Sequence, residues 1–256
     1  MQPQDAVYPS LLDQPVFVTG GASGIGASIV RHFAAQGSRV AFVDIQREAG
    51  AALADEIAAA GHPRPLFLPC DLTDIPALQA AVAQGAAALG RFTTLVNNAA
   101  HDDRHDWRRV TVEYWEERLA VNLRHQFFAI QAIAPLMIAA GRGSIINFGS
   151  VSWRVATGGM PAYPTSKAGV EGLTRSFARD LGGHGIRVNC VSPGWIMTER
   201  QRALWVTPEA EKNTLDLQCL KALLYPADLA RMVLWLAAED SRMCTAHTWH
   251  VDAGRG

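Results

Sequence analysis

Residues 15–37, PVFVTGGASGIGASIVRHFAAQG, decide the fold. PVFVTG reads as a short buried strand, apolar on both faces. It runs straight into Thr19-Gly20-Gly21-Ala22-Ser23-Gly24-Ile25-Gly26 and from there into the helical stretch ASIVRHFAAQG. Strand, glycine turn and helix start in succession make a phosphate site. Glycines let the backbone turn tightly and approach a pyrophosphate, and the free N–H groups of the first helical turn favour the anion. Gly20, Gly24 and Gly26 form T-G-x-x-x-G-x-G rather than G-x-G-x-x-G. With Ser23 and Ile25 between them, these residues are the candidate cofactor contacts.

A matching acid follows. Asp44 ends the second apolar run, RVAFVD, eighteen residues past Gly26. A carboxylate there is placed to accept hydrogen bonds from the ribose hydroxyls of an adenine dinucleotide. It would also repel a 2′-phosphate: at about 4 Å and an effective dielectric near 20, by on the order of 4 kcal/mol for unit charges. The glycine loop carries no Lys or Arg to welcome that phosphate, so the expected cofactor is NAD, with NADP disfavoured by Asp44. Arg47, three residues on, is near enough to soften the discrimination.

The chemistry points to Tyr163 and Lys167, in AYPTSKAGVEGLTRSFARDLG. Four residues is about one helical turn and puts both side chains on one face. Tyr normally titrates near about 10, and each unit of lowering needs roughly 1.4 kcal/mol of preferential stabilisation of the anion, which a nearby ammonium supplies. Such a Tyr serves as a general base.

With 256 residues and 49% hydrophobic content, the chain buries a large core. Strands are expected near 15–19, 39–43, 66–69, 94–97, 143–149, 186–191 and 247–251, with helices between them. That alternation predicts one doubly wound α/β domain over 1–256. EAGAALADEIAAAG and IPALQAAVAQGAAALG are amphipathic covers for the sheet. Residues 1–14 form an N-terminal extension. Residues 198–225 interrupt the alternation and are expected to form a lid, since ligands in this architecture sit outside the carboxyl ends of the strands. A net charge of −1 gives no reason to expect nucleic acid or an anionic membrane as partner. Cys70, Cys190, Cys219 and Cys244 are scattered, with no C-x-x-C pair and no His at metal-ligand spacing, so no metal is expected and buried free thiols in a reducing cytoplasm are. MQPQDAVYPSLLD lacks the form of a signal peptide, and no apolar run reaches membrane-spanning length.

The ordered motifs continue with Cys70-Asp71-Leu72, Leu95-Val96-Asn97-Asn98-Ala99-Ala100, Val121-Asn122-Leu123, Ile146-Asn147-Phe148-Gly149-Ser150 and Arg187-Val188-Asn189-Cys190-Val191-Ser192-Pro193-Gly194. From about Pro15 to Gly254 the chain resembles the short-chain dehydrogenase/reductase family, departing at Ala100, where the family usually has Gly. The resemblance implies a Rossmann-type parallel sheet of about seven strands with helices on both faces, and a catalytic tetrad of Asn122, Ser150, Tyr163 and Lys167. Ser150, thirteen residues before Tyr163, is favoured over Ser152. It would hydrogen-bond the substrate oxygen, Lys167 would lower the Tyr163 pKa and hold the nicotinamide ribose, and Asn122 would help keep a relay water. Asp71 and Leu72 would meet the adenine, Asn98 and Ala99 would line the cofactor, and Pro193, Ile196 and Thr198 would position the nicotinamide. A homotetramer is also implied, with interfaces on helices 111–140 and 161–182 and the apolar last segment.

Three parts of the chain expected at the substrate are polar or indole-rich: His101-Asp102-Asp103-Arg104-His105, Trp153 and Trp195. Carboxylate and guanidinium groups bond several hydroxyls at once and indole faces cover C–H surface, so these walls suit a sugar. N-A-A-H-D-D-R-H, I-N-F-G-S-V-S-W, N-L-R-H, Q-C-L-K and M-C-T-A-H-T-W-H-V-D-A-G resemble the subgroup of bacterial NAD-dependent aldose (D-xylose) 1-dehydrogenases, with departures at 154–161 and at Ala246, where the family more often has Gly. The expected reaction is oxidation of the anomeric C1 hydroxyl of an aldose, of D-xylose or L-arabinose type, to the aldonolactone. Asp102, Asp103, Arg104, Ser150, Trp153, Tyr163 and Trp195 are the candidate substrate contacts. A dehydrogenase of a secondary hydroxyl on a sugar acid or other polar hydroxy compound is the alternative, and a dinucleotide-binding redox sensor the non-enzymatic one.

Overall fold

Seven strands form one parallel sheet in the order β3-β2-β1-β4-β5-β6-β7. They are β1 (Pro15–Thr19), β2 (Arg39–Asp44), β3 (Leu66–Pro69), β4 (Thr94–Asn97), β5 (Gly143–Phe148), β6 (Ile186–Pro193) and β7 (Thr248–Val251). This computed structural model describes residues 6–256, so the first five residues of the 1–14 extension lie outside the described residues. The chain winds outward from β1 to β3, then returns to β4 on the other side of β1. The order therefore reverses between β1 and β4, and a crevice opens there at the carboxyl ends of the strands.

Both faces of the sheet are covered, which is why its strands read as continuous apolar runs. Val16, Val18, Val40, Phe42, Val96 and Ile146 face one core, with Ile29 and Phe33 of α1 (Gly24–Ala35), Leu53 and Ile57 of α2 (Arg47–Ala59) and Leu229 and Val233 of α9 (Pro226–Ala237). Alternate residues Phe17, Ala41, Val43, Leu95, Ile145 and Val188 face a second core, with Leu78 of α3 (Ile75–Leu89), Ile130 and Ile133 of α5 (His125–Ala140) and Leu181 of α6 (Ala162–Leu181). The two-residue period of a strand splits each run between the two cores.

The expected helix over 111–140 is not one regular helix. It comprises α4 (Val112–Leu119), one wide π turn at Ala120–Arg124, and α5. Beyond β6 the lid region holds two short helices, α7 (Glu199–Leu204) and α8 (Pro208–Leu217). Its root is held firmly: the Gln218 amide donates to the carbonyls of Leu220 and Ala222, and the Lys221 ammonium to those of Leu215, Asp216 and Gln218. The Q-C-L-K stretch thus fixes the far end of the 198–225 insertion.

Ala246, where the resembling family more often has Gly, sits at φ +63°. An alanine there carries a backbone cost of about 1–2 kcal/mol that glycine would not. Of the four cysteines, Cys70 and Cys190 are buried, but Cys219 is exposed and Cys244 half-buried, so the expectation of buried thiols fails for the latter two; all four are free. Among the described residues no helix is long and apolar enough to cross a membrane.

Candidate active site

The crevice at the β1/β4 reversal is a cavity of about 910 Å³, at the upper end of what small-molecule sites occupy. It runs from Gly20, Ser23, Ile25 and Gly26 of the glycine loop, past Asp44 and Asp71-Leu72, to Ser150, Tyr163 and Lys167, and is also bordered by residues of the 198–225 insertion.

The glycine loop is built so tightly that side chains are excluded. A Cβ on Gly26 would lie 1.8 Å from the Gly20 carbonyl oxygen, and one on Gly20, at φ +67°, 2.7 Å from the Ala99 Cα. The Thr19 hydroxyl accepts from the Asn98 and Ala99 N–H groups at 3.1 and 3.2 Å, and the Asn98 amide donates to the Thr19 and Gly20 carbonyls at 3.1 and 2.9 Å. Those bonds lock the ends of β1 and β4 together beneath the loop. The Asp44 carboxylate accepts from Ala22 N–H at 2.9 Å and Gln46 N–H at 3.0 Å while bordering the cavity. It thus pins the loop and the start of α2 as well as facing a ligand. A bare backbone turn at a helix start with a carboxylate on the neighbouring strand fits an adenine dinucleotide. Asn98, Ala99, Pro193, Ile196 and Thr198 line the same cavity; Gly24 does not border it but starts α1.

At the far end, α6 presents Tyr163 and Lys167 on one face. The Lys167 ammonium is buried, donates to the Phe148 carbonyl at 2.8 Å, and lies 5.6 Å from the centre of the Tyr163 ring. Burial pulls Lys167 down to about 8. Tyr163 does not behave as expected from sequence: burial first, then the charge of Asp102, pushes its hydroxyl above its ordinary range, against the opposing pull of a Ser150 hydrogen bond and of Arg200. Desolvation and Asp102 together outweigh those two opposing groups. The Ser150 hydroxyl also accepts from Ser152 N–H at 3.1 Å, capping the turn Val151–Trp153.

Asn122 lies in the π turn. Its side chain is fully buried and spent on a backbone pair, accepting from His101 N–H at 2.8 Å and donating to the His101 carbonyl at 3.1 Å. It anchors the loop after β4. Below it His125, buried and held down to about 3 first by desolvation, then by Lys167, is neutral and donates to the Ala99 carbonyl at 3.2 Å.

The substrate end needs two corrections. Trp153 does not line the cavity: its indole N–H donates to Glu171 at 3.1 Å and its ring lies under Arg154, because the capped turn directs it outward. Asp103 does not line it either; its carboxylate is held by Arg200 at 2.8 Å and by Arg118 at 3.6 Å. Asp102, Arg104 and Trp195 do reach the cavity. Arg104 stacks 4.5 Å from the ring centre of Trp205, and Trp195 N–H donates to the Gln201 side chain at 2.8 Å. Arg200, Gln201 and Trp205, all bordering the cavity from the lid, were not singled out from the sequence. Their only signal there was position within the 198–225 insertion.

A family model described as enoyl-(acyl carrier protein) reductase matches residues 20–255. The chain is 47% identical over 249 residues to D-xylose 1-dehydrogenase of Caulobacter vibrioides, covering 97% of this chain and 98% of that protein. It is 48% identical over 247 residues to a Rhizobium meliloti protein named "Probable galactose dehydrogenase GalD", covering 96% of each. Among solved structures, a 3-oxoacyl-[acyl-carrier protein] reductase from Brucella melitensis with bound NAD superposes at a TM-score of 0.88, with 31% identity over 97% of this chain and 93% of that one.

Proposed function

We infer from this chain's membership of the short-chain dehydrogenase/reductase family, to which it belongs along nearly its whole length, that it is an NAD-dependent sugar dehydrogenase. The substrate is an aldopentose or related aldose, oxidised at the anomeric C1 hydroxyl to the aldonolactone. The observation that carries the reading is the meeting of Ser150, Tyr163 and Lys167 at one end of the cavity with the glycine loop and Asp44 at the other, in a chain close to two sugar dehydrogenases.

When bound, the nicotinamide cofactor supplies the acceptor for the hydride of C1. The glycine loop would hold its pyrophosphate, Asp44 its adenosine ribose, and Lys167 its second ribose. Ser150 bonds the C1 oxygen and Tyr163 removes its proton. Buried as it is, Tyr163 parts with its own proton only where positive charge gathers, so Lys167 must stay protonated beside it. The lid and the Trp195 indole keep water from the reacting carbon. Purified protein offered a panel of aldoses should reduce NAD with release of one proton per turnover and then release a second proton into an unbuffered medium as the lactone hydrolyses. Reduction with hydroxy sugar acids alone would overturn the anomeric-carbon reading. That second reading is favoured by one observation: Arg104 lines the cavity and makes no ion pair among the described residues, leaving it free for a carboxylate.

For the cofactor, Asp44→Ala should raise the ratio of kcat/KM for NADP over NAD at least about tenfold, by removing a repulsion of order 4 kcal/mol in its unscreened limit. The ratio is the decisive measurement, because losing the bond to Ala22 N–H loosens the loop for both cofactors alike. An unchanged ratio would remove Asp44 as the selector. We further propose a cytoplasmic homotetramer. Assembly is supported by Trp115, Phe127 and Ile138, which stand exposed along α4 and α5, and cytoplasmic location by four free thiols.

A further inference from the structure

The loop after β4 and the tip of the lid are joined by one connected set of polar bonds. A single guanidinium, Arg200, spans two carboxylates: one arm meets Asp102 and the other Asp103 at 2.8 Å. The neighbouring Gln201 amide donates to the second Asp102 oxygen at 2.7 Å and accepts from Trp195 N–H at 2.8 Å. Arg104 of the same loop stacks on Trp205. The first turn of α7 is thereby tied to the end of β4 on one side and the end of β6 on the other, across the mouth of the cavity. The loop's own anchor is the two-way bond between Asn122 and His101.

α7 has only six residues, too few to hold a helix in water by its own hydrogen bonds. Its order rests on these contacts and on the Thr198 cap. The Arg200, Asp102 and Asp103 side chains are 28–42% exposed, so the bonds are of the strength that opens and closes rather than of the buried, permanent kind. The far end of the insertion, pinned by Gln218 and Lys221, has no such exposed ion pairs with the loop among the described residues.

We propose that Arg200 is a positioning residue: it latches the lid over the cavity by bridging Asp102 and Asp103, and in doing so it offsets part of the negative charge that Asp102 directs at Tyr163. The second half rests on the reading of Tyr163 as the proton acceptor. Tyr163 is faced by Ser150 from the β5 end, by Lys167 from α6, by Asp102 from the β4 loop and by Arg200 from α7; His105 from the same loop meets the N–H of Ala162 beside it. Asp102 opposes and Arg200 favours loss of the Tyr163 proton. Asp103 has its own partners in Arg118 and His101, whereas Asp102, with Arg200 gone, keeps only the Gln201 amide. An open lid therefore suppresses the base further, and a closed one relieves part of that suppression. Proton removal is easier once the cavity is covered.

The test uses Arg200→Gln, Arg200→Lys and Arg200→Gln combined with Asp102→Asn. Hydrogen exchange of the cofactor-free protein, followed by mass spectrometry, should show residues 199–217 exchanging about tenfold faster in Arg200→Gln, with the sheet unchanged. Arg200→Lys should restore only part of the protection, since an ammonium lacks the fork that spans two carboxylates. In turnover, Arg200→Gln should raise the sugar KM and move the rising limb of kcat to higher pH; adding Asp102→Asn should bring that limb back to or below the wild-type position while exchange stays fast. Unchanged exchange in Arg200→Gln overturns the latch. Fast exchange with an unmoved pH limb overturns the charge compensation. If the wild-type protein oxidises no sugar, the proposed function fails, and the exchange result still decides the latch.

Discussion

Tyr163→Phe should abolish all but a trace of turnover, about 10²–10⁴-fold in kcat, while NAD affinity and thermal stability stay within a small margin of wild type. The substitution removes one oxygen and leaves the ring against Lys167. A variant retaining more than about a tenth of the activity, a loss below roughly 1.4 kcal/mol in the barrier, would show that another group takes the proton. The pH dependence follows with a definite sign. Burial, and next Asp102, hold the Tyr163 proton on, so the wild-type oxidation rate should climb from acid to alkaline pH. Lys167, drawn down to about 8, loses its charge in the upper part of that range, so the climb should flatten there. The residual rate of Tyr163→Phe should lack the limb.

Gly26→Ala should be nearly as damaging by a different route. Its added methyl would fall 1.8 Å from the Gly20 carbonyl oxygen and 2.7 Å from the Asn98 amide nitrogen. The nearer of these is backbone, so the loop itself must move. Calorimetric titration should find NAD binding weakened at least about 100-fold, roughly 2.7 kcal/mol, with a lowered melting temperature. Wild-type affinity in that variant would mean that the pyrophosphate does not depend on this turn.

The fold was legible because its signals are local. PVFVT and RVAFVD are strand-length apolar runs followed by helical periodicity, and the glycine spacing marks which strand comes first at the crevice. The Tyr163/Lys167 pair was legible for the same reason, one turn of one helix. What the sequence did not disclose is direction and distance. Trp153 stands three residues after Ser150 and was expected in the pocket, yet a capped turn of three residues rotates it to the outside against Glu171. Asp103 was expected on the substrate; it faces an arginine 97 residues away, and no periodicity connects those two positions. The 198–225 insertion was visible as an interruption of the alternation, but the contacts it makes at the cavity were not.

The wide turn at Ala120–Arg124 amounts to an extra residue wound into a helix. Removing one residue there would let α4 and α5 fuse into a regular helix, and everything before the deletion would swing by about 100° around the helix axis. Glu117 and Arg118 would leave the cavity wall, and Asn122 would lose the His101 peptide to which the latch loop is tied. Length in this segment is therefore under tighter constraint than composition. A designer who grafts a new α4 onto this scaffold must count residues before choosing them.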